Sequence, residues 1–212
     1  MIDPSDETGT LLGQEEFSLE ALRNGDRNEF SRLVEKYSGK LYRLGLKMLG
    51  NPQDAEDILQ ETYVKAIRGI KNFDGRSSVS TWLYRIAVNE ALMHLRRKRP
   101  DIVSIEEPDE TDSEDQEPLQ IVDWCCMPER ELMSGEVRRR LDQAIEKLPD
   151  SLRVVFVLRD VEELSTLQTA EVLGLSETAV KTRLSRARMR LREELSVYFN
   201  ERMVAGSDYD AR

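Results

Sequence analysis

Five side chains near the C-terminal end, Thr178, Lys181, Thr182, Ser185 and Arg186, have the types and spacing to read a nucleic acid. Winding the segment at 3.6 residues per turn puts Val180, Leu184, Ala187 and Leu191 on one inward stripe, and these five together with Met189 on the opposite side. From Thr178 to Arg192 there are six basic residues (Lys181, Arg183, Arg186, Arg188, Arg190 and Arg192) and no acid. Hydroxyls, a lysine and an arginine on one face suit a DNA major groove, where arginine pairs with guanine and Ser or Thr accepts either base type. A basic run alone is more often a solvated helix face. The residues just before it argue otherwise. Ala170, Gly174 and Val180 sit four and six residues apart, as two helices meeting at a sharp angle require, and Ser176 can cap the second helix. The spacing predicts a helix-turn-helix.

A second set lies in STWLYRIAVNEALMHLRRKRP, a helix apolar almost all round. Between its two apolar arcs, one of them Trp82, Ile86 and Met93, runs a polar stripe of Arg85, Asn89 and Arg96. Arginine handles phosphate, asparagine reads a base edge, and an aromatic offers stacking surface to an unpaired base. The plainer alternatives, a core tryptophan and a merely solvated stripe, stay open on sequence alone. The helix ends in Arg96, Arg97, Lys98 and Arg99 before Pro100. Cations suit a helix C-terminus, but four in a row exceed what a dipole needs and point to phosphate contact as well.

The elements that must position these residues are helical throughout. Ser18 caps a short helix that breaks at Asn24-Gly25, and Asp26 caps a long one with Phe30, Leu33, Val34, Tyr37, Leu41, Leu44 and Met48 at steps of three and four. Asn51 with Pro52 opens the next helix, which is expected to bury Ala55, Ile58, Leu59, Thr62, Ala66 and Ile67 and to expose Asp54, Asp57, Gln60 and Glu61. Acids in a first turn match the helix dipole, which is the simplest account of Asp54 and Asp57. Periodicity returns at Glu129, through Val137, Leu141, Ala144, Ile145 and Leu148, and again in SLRVVFVLRDVEEL before the helix-turn-helix. The expected fold is all-α: two small helical domains, at 17–100 and 129–197, joined by a flexible acidic linker over 101–128, with tails at 1–16 and 198–212. About 36 residues between the helical segments could bridge up to roughly 120 Å, so the domains need not touch.

The net charge of −10 on 212 residues is unevenly distributed. Residues 17–100 carry 16 bases against 10 acids and residues 137–195 carry 12 against 10, whereas 101–136 carry one base against 13 acids. Both helical segments are positive, and binding to phosphate depends on the local field rather than the total. No window is apolar enough to span a bilayer and the acidic N-terminus is unlike a signal peptide, so a cytoplasmic location is expected. The adjacent pair Cys125 and Cys126 cannot form a disulfide framework, and His94, the one histidine, leaves a zinc site short of ligands. No nucleophile, carboxylate dyad or metal cluster is evident, so neither catalysis nor a cofactor is expected.

Three stretches together, NPQDAEDILQETYVKA, FDGRSSVSTWLYRIAVNEALMHLRRKR and LPDSLRVVFVLRDVEELSTLQTAEVLGLSETAVKTRLSRARMRL, resemble the extracytoplasmic-function (ECF, group IV) sigma factors of bacterial RNA polymerase. The resemblance covers about residues 17–100 and 129–195. It implies a non-enzymatic initiation factor whose partners are the polymerase core, promoter DNA and an anti-sigma protein. It assigns Asp54, Asp57, Gln60 and Glu61 to core docking. The loop 73–79 with Arg76, and the helix with Arg85, Asn89 and Arg96 to Arg99, fall to melting the −10 element. Thr178, Lys181, Thr182, Arg183, Ser185 and Arg186 fall to the −35 element. The linker departs from the family in its acidity and in Cys125-Cys126. A dimerising helix-turn-helix regulator and an interaction scaffold are the rival readings, and neither has a use for the Asn89 helix and its basic end.

Overall fold

In a computed structural model, residues 17–98 and 135–207 are described, with side chains up to Ser196. The tails at 1–16 and 208–212, Arg99, the linker with Cys125 and Cys126, and residues 129–134 lie outside the described residues. Those described form helices and turns, with no strand among them.

The first unit begins with α1 (Leu19–Arg23), capped by Ser18, whose side chain accepts from the Ala21 N–H. Asp26 caps α2 (Arg27–Leu49) by accepting from the N–H groups of Asn28 and Glu29. Asn51 does the same for α3 (Pro52–Gly69), accepting from Gln53 and Asp54, with Pro52 at the first helical position. A short 3-10 turn (Ile70–Asn72) and a loop lead to α4 (Val79–Lys98), where Ser78 Oγ accepts from the Thr81 N–H at 3.1 Å. Leu33, Tyr37, Leu41, Leu44 and Met48 of α2 are buried, as the periodicity requires. Ala66 of α3 and Leu83, Ala87, Ala91 and Leu95 of α4 belong to the same core cluster, and Ala55 and Ile58 of α3 are buried as well.

The second unit comprises α5 (Gly135–Lys147), α6 (Asp150–Phe156), α7 (Thr166–Leu173) and α8 (Glu177–Ser207). At its end α6 widens into a π turn, Val157–Val161, with the Glu162 N–H reaching back to the Val157 carbonyl at 2.9 Å. Ser165 and Gln168 form a capping box at the start of α7. Gly174 then takes a left-handed conformation (φ 66°) at the turn, where a β-carbon would be strained. Ser176 Oγ accepts from the Ala179 N–H at 3.1 Å, which is the cap expected of it.

The burial expected of two residues is corrected. Ile67 is 56% exposed and Met93 41% exposed. Gln60, Val64 and Ile67 follow one another at steps of four and three and form the solvent stripe of α3, while α2 and α4 cover only the Ala55–Ile58–Thr62–Ala66 side. Whether the two units touch was left open by the sequence. Linker length sets how far apart they could stand, but α4 lies against α7, α2 against α5 and α6, and the buried apolar residues form one cluster through both. The two units touch.

Candidate nucleic-acid and polymerase interfaces

The recognition face of α8 is displayed as its periodicity demands. Val180, Leu184, Ala187 and Leu191 are buried, while Thr178, Lys181, Thr182 and Ser185 are exposed. Arg183 and Arg186 are half-buried at the edge of the same face. Arg188, to which no role was assigned, is held by Asp160 in a two-pronged pair, Nε to Oδ2 at 2.8 Å and Nη2 to Oδ1 at 2.7 Å. That pair ties the π turn to α8, and the Asp160 carboxylate pushes the guanidinium further toward its protonated form.

At the other end, the 73–78 loop and α4 surround an open cleft of about 720 Å3. Its walls include Lys65, Arg76, Arg85 and Asn89, with Phe73 and Trp82 stacked at 4.9 Å between ring centroids. Asn89 is exposed, and Arg85 is half-buried with its Nη2 donating to the Glu171 carbonyl at 2.9 Å. Arg76 donates from Nε to Asp74 Oδ2 at 2.5 Å and from its backbone N–H to Oδ1 at 3.1 Å. Those bonds hold the Asp74 carboxyl below the usual range. Trp82 serves both alternatives: it is half-buried and packed against the core, and it forms part of the cleft wall. Lys65, which pairs with the buried Glu90 across α3 and α4, was not singled out. The signal available for that pair was an acid in the middle of an otherwise apolar helix.

Arg96, Arg97 and Lys98 are exposed at the end of α4. Lys98 Nζ donates to Asp54 Oδ2 at 2.5 Å, and His94 Nε2 stands 3.2 Å from Oδ1. Lys98, chiefly, holds the Asp54 carboxyl below the usual aspartate range. Asp54 is therefore half-buried and clasped to α4, whereas Asp57, Gln60 and Glu61 face solvent together on α3. The structure thus groups the three candidate sets on three surfaces: α3, the loop with α4, and α8. Among the described residues no helix is long and apolar enough to cross a membrane, and no group of three metal-ligating side chains occurs.

Comparison with known proteins matches each of the two units to a family. The Sigma-70 region 2 family matches residues 33–100, and Sigma-70 region 4 matches 138–191. The chain is 38% identical over 177 residues to the ECF RNA polymerase sigma factor SigW of Bacillus subtilis, covering 84% of this chain and 94% of that one. It is 34% identical over 190 residues to the RNA polymerase sigma-H factor of Pseudomonas aeruginosa, covering 89% and 97%. In fold it is similar to CnrH in complex with the cytosolic domain of CnrY (TM-score 0.61, 24% identity, 84% and 95% covered). It is also similar to the sigma factor RpoE of Bartonella quintana in complex with the anti-sigma factor NepR (TM-score 0.58, 23% identity, 80% and 98% covered). The chain belongs to the ECF family of RNA polymerase sigma factors.

Proposed function

We propose that this sigma factor divides promoter recognition among the three surfaces just described. Asp57, Gln60 and Glu61, with Asp54 at their edge, dock on the polymerase core. Thr178, Lys181, Thr182, Arg183, Ser185 and Arg186 read the −35 duplex from the major groove. Arg76, Arg85 and Asn89 hold the non-template strand of the −10 element, while Arg96 to Arg99 contact its phosphates. The observation that carries this reading is the cleft at α4: stacked aromatics, an exposed Asn89 and three cations around one opening. Extruding a base costs a few kcal/mol. Stacking on an aromatic surface returns about 1–3 kcal/mol per base, and the cations neutralise phosphates beside it.

The units proposed for this work are 17–100 and 129–197, and catalysis belongs to the polymerase rather than to this chain. The chain acts in the cytoplasm with the core enzyme, and an anti-sigma protein masks its surfaces. The test is reconstitution. Purified chain with core enzyme should give discrete run-off transcripts from genomic promoter fragments. Tight binding of the chain alone to a palindromic duplex, with no transcript from added core, would overturn the reading in favour of a dimeric regulator.

A further inference from the structure

One carboxylate lies fully buried in the contact between the two units. The Glu162 side chain has no exposed surface, and both of its oxygens are taken by the other unit. Tyr84 of α4 donates its hydroxyl to Oε2 at 2.9 Å, and Arg43 of α2 donates Nε to Oε1 at 3.3 Å. Glu162 follows directly on the π turn, a distortion frequent at functional sites. Its neighbour Glu163 holds a left-handed backbone (φ 58°) that non-glycine residues adopt only when their surroundings impose it. Further bonds cross the same boundary, among them the ion pair of Lys47 on α2 with Asp142 on α5. Arg153, itself buried, donates to the Ile145 and Leu148 carbonyls at the end of α5 and, from Nη1, to the Met48 carbonyl of α2 at 2.8 Å. Arg85 reaches the Glu171 carbonyl, and Glu171 lines the cleft.

This closure is selective. It engages Arg85 and brings α7 to the mouth of the cleft, yet leaves the α3 acids and the hydroxyl face of α8 in solvent. It is also incompatible with promoter engagement. Two elements read on one face of DNA, roughly two helical turns apart, stand about 70 Å from each other, whereas α4 and α7 are in direct contact.

We propose that Glu162 is the bolt of an autoinhibited closed state of the free chain. Received by Tyr84 and Arg43, it holds α7 at the rim of the cleft, with Arg85 bonded to the Glu171 carbonyl, and keeps Arg85 from single-stranded DNA until the units part. The inference rests on the reading of α4 as the single-strand surface, so its first test uses neither polymerase nor DNA. In the full chain, with Cys125 and Cys126 replaced by serine, spin labels at Gly39→Cys and Glu193→Cys report the distance between units. The unaltered latch should give one short, narrow distribution, and Glu162→Ala should give a longer and broader one. Tyr84→Phe deletes a single hydroxyl while keeping the ring, so it reports on the latch even where Glu162→Ala fails to fold. A distribution like that of the unaltered latch in both variants overturns the proposal. The second test is anisotropy with a labelled oligothymidylate at fixed salt. Opened variants should bind on the order of tenfold more tightly, by release of the closed-state population, and Arg85→Ala on that background should abolish the gain. Open distances with unchanged affinity, or a gain that survives Arg85→Ala, overturn the inhibitory role.

Discussion

Lys181 stands exposed on α8 one turn from Ser185, with Val180 beside it fixed in the core. Lys181→Ala should therefore cost about 1–3 kcal/mol at one −35 base pair and relax preference there. Binding to a panel of single-base duplex variants checks this, and an equal loss on every duplex would mean a phosphate contact instead. Asn89 lies exposed at the cleft with the Phe73–Trp82 stack in the same wall. Asn89→Ala should leave −35 binding intact but reduce permanganate reactivity of the −10 strand in the polymerase complex; footprints matching the unsubstituted protein count against its role. The helix-turn-helix was legible because its signals are local: a left-handed glycine, a serine cap and a stripe of period 3.6. Glu162 was not, because its partners Tyr84 and Arg43 lie 78 and 119 residues away in sequence. Nothing in the acidity of the stretch RDVEEL around it distinguishes a buried carboxylate from a solvated one. Trp82 was half legible, since a helix pattern gives its arc but not the loop phenylalanine that stacks on it.

Among elements, α3 has to bring acids to solvent on one side while lying close against α2 on the other. Gly45 of α2 permits that approach, since a β-carbon there would stand 3.2 Å from the Ala55 Cα, a backbone atom that cannot swing aside. Gly45→Ala should destabilise the first unit by about 1–3 kcal/mol through overpacking, seen as a lower urea midpoint at unchanged slope. A midpoint equal to that of the parent chain would show that α3 shifts freely. The Gly45 approach was not foreseen, because glycine in a helical pattern carries no record of what faces it. The cap of α3 was foreseen, since Asn51-Pro52 is a signal written in adjacent residues, but Asp54, expected in solvent, is half-buried under Lys98 and His94. The same helix explains the misplacement of Ile67. An apolar type at a solvent register looks like core until the covering helices are known, and here it extends the α3 face on which Gln60 and Glu61 stand.

For the molecule as a whole, Glu162 couples closure to pH. Burial pushes its carboxyl above the ordinary glutamate range, against the lowering effects of the Tyr84 hydroxyl and of Arg43 and Lys40 on α2. In the open state the group is rehydrated and returns toward its ordinary value. The closed state therefore binds the proton more tightly than the open one. By linkage, closure is strongest below the ordinary value and weakens as pH rises through the raised one. Asp54 moves the other way: Lys98 keeps it ionised to below the ordinary aspartate range, so the α3–α4 clasp survives throughout that window. The spin-label distances in the free chain should accordingly shorten and narrow as pH is lowered from neutral toward the ordinary glutamate range. Glu162→Gln, which fixes the neutral form while still accepting from Tyr84, should stay closed and lose this response. A pH response in the glutamine variant equal to that of the parent chain would assign the effect to another group and leave Glu162 with a purely structural role in the contact.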